Sequence, residues 1–306
     1  MMIFTGMKQT DHAGIFISRE WNTENKAIFS RLHHLMYERK TATTAVGIKY
    51  VLQGEEIYTV NKKTYTVKAG CCLTMNAGQV FDLQVKETKQ PVSGICFYID
   101  HTLLQDVYHN YTNTHDLPDP LAISSVNQFD FFEKVNDQQD VLSAYIRAIT
   151  KNMHMETGAL LCNSEELFYG LAEHILLSQS LVRKEMRHIK ASGFSTQKEL
   201  YTRISAAKQM MDETDTFQLS IAGLAASVAL SEFHFFRTFK QVYGISPYQY
   251  QLKKRLACAK EQLLSHGHSV TEIAHTTGFA DIHSFSRSFK KSFGLSPVAF
   301  KNRNAS

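Results

Sequence analysis

Several residue classes are scarce in this chain. Five Pro and fifteen Gly among 306 residues argue against a fibrous or low-complexity protein. The five cysteines are odd in number and show no CxxC spacing, so buried reduced thiols are expected rather than a disulfide scaffold or a zinc ribbon. The first ten residues lack a basic start followed by an apolar core, and no apolar run approaches the roughly 18 residues that span a bilayer. These absences predict a cytoplasmic protein with no membrane partner.

The charge of the chain is unevenly distributed. Length and an ordinary share of hydrophobic residues (43%) predict a globular protein of two or three domains. Residues 201–306 contain 13 Lys and Arg against 7 Asp and Glu, whereas the first 200 residues carry a slight excess of acidic groups. A basic C-terminal third on a slightly acidic body indicates a module that binds a polyanion.

An internal repeat links residues 219–250 to residues 268–300. Leu224 and Ala225 recur 49 residues later as Ile273 and Ala274. The positions that recur at a separation of 50 are Arg237, Phe239, Lys240, Gly244, Ser246 and Pro247, which match Arg287, Phe289, Lys290, Gly294, Ser296 and Pro297. Because the unit occurs twice, it is a duplicated module and not a solenoid.

The second copy reads as helix, turn, helix. Ser269 and Glu272 fit a capping box, and Gly278 provides a turn residue for which positive φ is expected. The next helix is expected to begin at Asp281 or Ile282 and to end at Gly294. This arrangement is typical of a helix-turn-helix, whose second helix enters the DNA major groove.

The first copy follows the same plan, with Ser220 and Ser231 as predicted N-caps. It has Ala229 where the second copy has Gly278, which predicts a tighter or differently shaped turn. Between the copies, apolar residues at 3–4-residue spacing predict one amphipathic helix over 248–264, buried through Leu252, Leu256, Ala259 and Leu263. Such a helix would hold the two copies rigidly, so that their second helices enter major grooves about 34 Å apart.

The region from about residue 200 to 301 resembles the AraC/XylS family of bacterial transcription regulators. The stretches EIAHTTGF and SFSRSFKKSFGLSPVAF carry this resemblance. It implies an all-α DNA-binding domain with two helix-turn-helix units joined by a long helix. The implied partners are double-stranded promoter DNA and RNA polymerase, and the implied role is sequence-specific regulation, more typically activation than repression, with no catalytic residues. The resemblance also suggests that Arg255 is partly structural and pins the two units together.

Helical phase, with the resemblance, selects the groove-facing positions. The expected base contacts are Glu232, Phe233, Phe236, Arg237, Ile282, His283, Ser286 and Arg287, and the expected phosphate contacts are Ser231, Lys240, Lys290 and Lys291. Arg237 and Arg287 either read guanine or contact phosphate or an intramolecular carboxylate. Phe233 and Phe236 either pack on thymine methyl groups or turn one ring into the core. His283 is expected to make a polar contact with DNA.

Residues 45–100 alternate short β-rich runs with turn signals that include Gly54, Gly70 and Gly78. The order resembles the all-β cupin-like sensor barrel of the same regulator family. No histidine occurs between residues 46 and 92, so neither a metal nor another cofactor is expected. The residues expected to line the barrel are Tyr50, Tyr58, Tyr65, Met75 and Phe81, which either hold a small-molecule effector or simply fill the interior.

A helical connector is predicted over residues 126–189. Its stripe of Leu167, Leu171, Ile175 and Leu176 either packs within the chain or supports the homodimer that the resemblance implies. The patternless residues 190–197 predict a linker, followed by a helix from Lys198. The predicted domains are therefore 1–125 (sensor), 126–197 (connector) and 198–306 (DNA-binding).

Three other interpretations are kept open. Cys71 and Cys72 would respond to oxidants if one were exposed with a lowered pKa. The chain could also be a DNA-binding regulator without a ligand, controlled by its own abundance. The third interpretation is a barrel enzyme whose DNA-binding tail only localises it, although no metal cluster or nucleophile–base pair is evident from spacing.

Overall fold

The computed structural model divides the chain into two compact units, Met1–Lys184 and Glu185–Ser306, which we describe separately as the first and second units. It describes residues 14–20, 25–38, 44–114, 129–151, 164–191, 193–212, 220–265 and 268–304. Cys162 and the residues 152–163 of the predicted connector lie outside these ranges.

The first unit contains ten described strands in two antiparallel sheets. Their bounds are β1 Gly14–Glu20, β2 Lys26–Leu32, β3 Leu35–Glu38, β4 Val46–Gln53, β5 Glu55–Val60, β6 Lys63–Lys68, β7 Cys72–Met75, β8 Phe81–Val85, β9 Val92–Ile99 and β10 Val135–Asn136. One sheet has the order β1-β2-β9-β4-β7-β10, and the other has the order β3-β8-β5-β6. The described strands thus form cupin-like sheets that face each other, rather than the closed barrel that the sequence suggested.

Both faces of the six-stranded sheet are covered. β4 is buried along most of its length, and its successive side chains point to opposite faces. One face meets the four-stranded sheet through a core that includes Val51, Leu73 and Phe81. The other face packs against helices, which explains why β4 reads as a continuous apolar run rather than an alternating one.

Three helices cover the outer face of the six-stranded sheet: α1 His101–Thr114, α2 Val141–Thr150 and α3 Ser164–Arg187. The predicted stripe on α3 lies in the core between this sheet and the helices, where Leu171 and Ile175 are fully buried. The apolar stripe is therefore used within the chain.

The second unit is helical. Its elements are α4 Phe194–Asp212, α5 Ile221–Ser227, α6 Glu232–Tyr243, α7 Pro247–Leu264, α8 Val270–Thr276, α9 Ile282–Phe293 and α10 Pro297–Asn304. α4 begins at Phe194, four residues before the predicted start at Lys198 and inside the predicted linker. The predicted long helix is present as α7, although Leu252 of its expected buried stripe is exposed.

The predicted helix caps are confirmed. Ser220 and Ser231 accept hydrogen bonds from the backbone N–H groups of Gly223 and His234. Ser269 and Glu272 form the complete capping box, and Asp281 caps α9. Each cap satisfies a backbone donor that has no partner inside the helix, so these sequence signals determine the helix starts locally.

The two helix-turn-helix turns are alike, contrary to the expectation from Ala229. Ala229 has φ +53° and Gly278 has φ +77°, so both residues adopt the left-handed conformation. The hydrogen bonds also correspond: Leu230 N–H donates to the Ala225 carbonyl at 2.9 Å, and Phe279 N–H donates to the Ala274 carbonyl at 3.0 Å. The first copy therefore retains the turn shape at the conformational cost of an L-residue with positive φ.

Candidate nucleic-acid interface

The first recognition helix, α6, presents the predicted side chains outward. Phe235 and Phe239 are fully buried, which fixes the rotation of the helix. Phe233 is 77% exposed and Phe236 is 39% exposed, so neither ring turns into the core. Glu232, Arg237 and Lys240 are exposed on the same helix. The two rings thus add an apolar pair to the exposed face of the helix.

The second recognition helix, α9, is oriented in the same way by Phe285 and Phe289, which are both fully buried. His283, Arg287, Lys290 and Lys291 are exposed, whereas Ile282 and Ser286 are half-buried. The outer face of α9 is therefore polar and basic, without the aromatic pair found on α6. The outer faces of the two helices therefore differ in chemistry.

The two arginines expected to read bases have no carboxylate partner among the described residues. Within the part of the chain that the structure describes, neither Arg237 nor Arg287 forms a salt bridge. Their exposed guanidinium groups thus remain available for bidentate contact with guanine or for phosphate. Of the alternatives left open by the sequence, an ion pair with a carboxylate of the described residues is absent, and the choice between base and phosphate contact stays a prediction.

Two residues beside the recognition helices have structural roles as N-caps. Ser231, predicted to contact phosphate, accepts a hydrogen bond from His234 N–H at 3.3 Å. Asp281 accepts from Ser284 N–H at 2.7 Å, and this backbone hydrogen bond lowers the pKa of its carboxyl group. Both side chains position the first turn of a recognition helix.

An arginine holds each helix-turn-helix turn from the preceding helix. Arg203 on α4 donates to the carbonyl of Ala229 at 2.8 Å, and Arg255 on α7 donates to the carbonyl of Gly278 at 2.8 Å. Arg255 therefore joins the long helix to the second turn, whereas the implied role of pinning both units together stays a prediction. The three-helix arrangement α4-α5-α6 is repeated as α7-α8-α9, a longer repeat than the sequence alone revealed.

The correspondence between α4 and α7 was not evident from the sequence because few of their side chains are identical. Ile204, Ala207 and Met211 of α4 correspond in spacing to Leu256, Ala259 and Leu263 of α7, and all six are buried. Apolar spacing around a common arginine, rather than residue identity, is the signal that would have revealed it.

In the first unit, four of the five predicted ligand-lining residues lie between the sheets. Tyr58, Tyr65, Met75 and Phe81 belong to one apolar cluster on that face. Tyr50 does not: it packs into the core on the other side of the six-stranded sheet. The prediction for Tyr50 is wrong because successive side chains of β4 alternate between faces, and Lys49 and Val51 are the ones that face the second sheet.

Two buried charged residues between the sheets were missed by sequence analysis. Lys49 is 3% exposed and Glu56 is 2% exposed. Lys49 contacts Cys96 and Tyr98, whereas Glu56 accepts a hydrogen bond from Tyr58 at 2.6 Å. The sequence signal for this site was a lysine inside an otherwise apolar strand. A lysine is almost never fully buried unless its charge is paired, so its position in such a strand indicates a specific polar environment.

None of the described helices is long and apolar enough to cross a membrane. In the described ranges, no group of three or more His, Cys, Asp or Glu side chains is arranged to hold a metal ion.

Comparison with known proteins agrees with both units. Residues 27–159 match the model for an AraC-like ligand binding domain, and residues 224–303 match a helix-turn-helix domain. The two matched ranges together cover more than half of the chain, and they coincide with the facing sheets and with the duplicated helices.

The similar curated proteins are bacterial regulators. The probable transcriptional regulator LumQ of Photobacterium leiognathi is 29% identical over 42% of this chain and 53% of its own length. The MmsAB operon regulatory protein of Pseudomonas aeruginosa is 37% identical over 28% of each chain. The transcriptional activator RhaS of Pectobacterium atrosepticum is 28% identical over 43% of this chain and 48% of its own length.

The matches thus span about half, or less, of the length of these relatives. The family models account for the facing sheets and for most of the duplicated helices. The chain belongs to the AraC/XylS family of transcriptional regulators.

Proposed function

We propose that this protein is a promoter-specific transcription activator whose two recognition helices, α6 and α9, read bases in successive major grooves. The observation that carries the proposal is the duplicated three-helix unit with two outward-facing recognition surfaces. Each surface holds one exposed arginine at the same place in the repeat, Arg237 and Arg287, and neither is paired with a described carboxylate.

The two surfaces are proposed to read different base patterns. Phe233 and Phe236 on α6 are suited to thymine methyl groups, whereas His283 and Ser286 on α9 are suited to polar base edges. The exposed lysines, Lys240 among them, would contact phosphates and set affinity without sequence preference. We expect a site with two unlike determinants about one helical turn apart.

The first unit is proposed to bind a small-molecule effector between its sheets and to bias DNA binding. This requires the ligand to have different affinity for two states of the protein. The proposed setting is the bacterial cytoplasm, with RNA polymerase as partner and a homodimer as the working form. Because the α3 stripe is buried within the chain, another surface would have to form that dimer.

The test is selection of genomic DNA fragments on the purified full chain at two salt concentrations. Arg237→Ala and Arg287→Ala are expected to relax one determinant each, at a cost of about 1–3 kcal/mol in discrimination. Arg303→Ala is the matched control, because it removes an exposed arginine from α10 rather than from a recognition helix.

Lys240→Ala separates affinity from specificity. It is expected to weaken binding to all sequences alike and to reduce the salt dependence by about one counterion. If both arginine variants retain the parent's selected sequence, or if the parent selects no sequence at all, the base-reading proposal is wrong.

A further inference from the structure

A half-buried carboxylate at the end of α4 has no role in the base contacts described above. Asp212 is the last residue of α4, and its side chain is 21% exposed. Its Oδ1 accepts a hydrogen bond from the Tyr250 hydroxyl at 2.6 Å and lies 2.6 Å from Nζ of Lys254. Its Oδ2 accepts from Nζ of Lys208 at 3.0 Å. We call these four residues the Asp212 cluster.

The Asp212 cluster joins two helices. Asp212 and Lys208 belong to α4, whereas Tyr250 and Lys254 lie one turn apart on α7. An isolated ion pair on a protein surface contributes little, but a carboxylate shared by two lysines and a hydroxyl forms a network that constrains both helices. The cluster therefore attaches the first copy of the repeat to the long helix.

The Asp212 cluster also reaches the first recognition helix. The ring centroid of Tyr250 lies 5.6 Å from that of Phe239 and 6.5 Å from that of Tyr243, and both of these residues belong to α6. Phe239 is one of the two buried residues that fix the rotation of α6. The Nζ of Lys208 lies 5.6 Å from the ring centroid of Tyr250 and 6.0 Å from that of Tyr243. One packed group thus connects α4, α6 and α7.

The second copy of the repeat has the same aromatic arrangement without the carboxylate. Phe300 lies 5.5 Å from Phe289 and 6.4 Å from Phe293 between ring centroids, which reproduces the distances in the first copy. Lys260 lies 5.5 Å from the ring centroid of Phe293. The matched pairs are Phe239 with Phe289, Tyr243 with Phe293, Tyr250 with Phe300, Lys208 with Lys260, and Asp212 with Leu264. A copy can therefore pack equally closely without a carboxylate, so aromatic packing alone does not explain its presence.

The two copies differ in the helix that follows them. α7 follows the first copy and also contributes Leu256 and Leu263 to the core of the second copy, whereas α10 does not lie between copies. Because α7 carries the second copy, the angle between α7 and the first copy determines the separation and relative rotation of α6 and α9. The carboxylate is thus present at the junction where the geometry between the recognition helices is set.

We propose that Asp212 is a positioning residue that fixes the geometry between the two recognition helices and thereby the spacing of the two determinants in the DNA site. This inference rests on the proposed reading of bases by α6 and α9 and specifies what sets the spacing. One additional base pair moves the second determinant by about 3.4 Å and rotates it by about 35°. A rigidly joined pair of helices discriminates between such spacings, whereas a loosely joined pair accepts them alike.

The first measurement needs no DNA. Nitroxide labels are attached to p-acetylphenylalanine at positions 240 and 290, which are exposed and matched on α6 and α9, so that the native cysteines stay unlabelled. Double electron–electron resonance on the full chain then gives the distribution of distances between the labels. Asp212→Asn keeps the size of the side chain but removes its charge, so further orientations become populated and the distribution is expected to broaden.

Glu199→Gln is the matched control for this measurement. It breaks the exposed ion pair between Glu199 and Arg203, which lies within α4 and does not reach α7. The distance distribution should therefore stay that of the parent. Tyr250→Phe removes the hydroxyl donor and should broaden the distribution less than Asp212→Asn, because the ion pairs remain. The substituted ring is expected to fit, since Phe300 occupies the matched place in the second copy.

The second measurement uses duplexes in which the spacing between the two determinants of the selected site is changed by one base pair. The parent is expected to lose about 10-fold in affinity, because one determinant is no longer in reach. In Asp212→Asn this loss should shrink to about 3-fold or less, while affinity for a duplex with a single determinant stays unchanged. A merely structural role would weaken binding to every duplex alike and preserve the dependence on spacing.

The outcomes separate this proposal from the proposed function. If Asp212→Asn does not unfold cooperatively in urea, Tyr250→Phe and Lys254→Met decide in its place. A distance distribution or a spacing dependence equal to that of the parent overturns the role of Asp212, even when the parent selects a DNA sequence. A distribution that broadens in Asp212→Asn, in a protein whose parent selects no DNA sequence, overturns the proposed function and leaves the positioning of the helices by Asp212 standing.

Discussion

Replacing Ala229 by glycine should stabilise the second unit. Ala229 has φ +53° in the turn between α5 and α6, and its methyl group is exposed. The left-handed conformation costs an L-residue about 1–2 kcal/mol, and glycine avoids this cost. Glycine also increases the conformational entropy of the unfolded chain, and this opposing effect lowers the stability of the folded state by about 0.4–1 kcal/mol. The difference predicts a net stabilisation of roughly 0 to 1.6 kcal/mol.

Urea denaturation of the full chain, monitored by circular dichroism at 222 nm, measures this effect because most of the described helical residues belong to the second unit. Ala226, three residues earlier, provides a matched control. It is also exposed but lies within helix α5, so Ala226→Gly should destabilise the second unit by about 0.5–1 kcal/mol. Gly278→Ala should lose stability, because Gly278 has φ +77°. Affinity for DNA should not change in Ala229→Gly, since the turn keeps its shape.

The reasoning is refuted if Ala229→Gly and Ala226→Gly destabilise to the same extent. That result would mean that Ala229 does not adopt a left-handed conformation in solution, or that its methyl group stabilises the turn by a contact the structure does not contain. The midpoint of thermal unfolding offers a second measure, with a shift of roughly 2–8 °C per kcal/mol for units of this size.

Three further predictions follow from single contacts. Arg203→Met and Arg255→Met should each destabilise the second unit by about 1.5–3 kcal/mol in urea melts, because each substitution removes a charged hydrogen-bond donor from a turn carbonyl. An unchanged midpoint of urea unfolding would show that water replaces the contact. Burial raises the pKa of Glu56, so the folded state binds its proton more tightly than the unfolded chain and stability falls as pH rises above about 4.5. Glu56→Gln should flatten this fall in urea melts, and an unchanged dependence on pH would exclude Glu56 as its source. Burial raises the pKa of Cys72 to about 12, so iodoacetamide at pH 8 should label it only after unfolding, and labelling of the native protein would contradict its burial.

The sequence alone was sufficient for the duplicated helix-turn-helix. Serines at N-caps, a glutamate three residues after Ser269, and paired phenylalanines four residues apart act within one or two helical turns. Such short-range rules do not depend on the rest of the fold. For this reason the helix starts and the inward faces of α6 and α9 agree with the prediction.

Local rules failed where one residue type can adopt two conformations. Alanine disfavours positive φ, so Ala229 predicted a different turn, yet packing of α5 against α6 and the hydrogen bond from Arg203 hold it in the conformation of its glycine counterpart. In the same way, the patternless residues before Lys198 suggested a linker, whereas α4 begins within them. Tertiary contacts override a weak local preference.

Which side chains lie between the sheets of the first unit could be decided only from the tertiary structure. A strand buried on both faces gives a continuous apolar run, and such a run does not show which alternate residues face the second sheet. The choice between Tyr50 and Lys49 was settled only by pairing β4 with β7 and β9 and by covering one face with helices. Local spacing in the sequence thus determined the outward faces of α6 and α9, whereas the charge placed between the sheets depends on strand register and on which face each sheet covers.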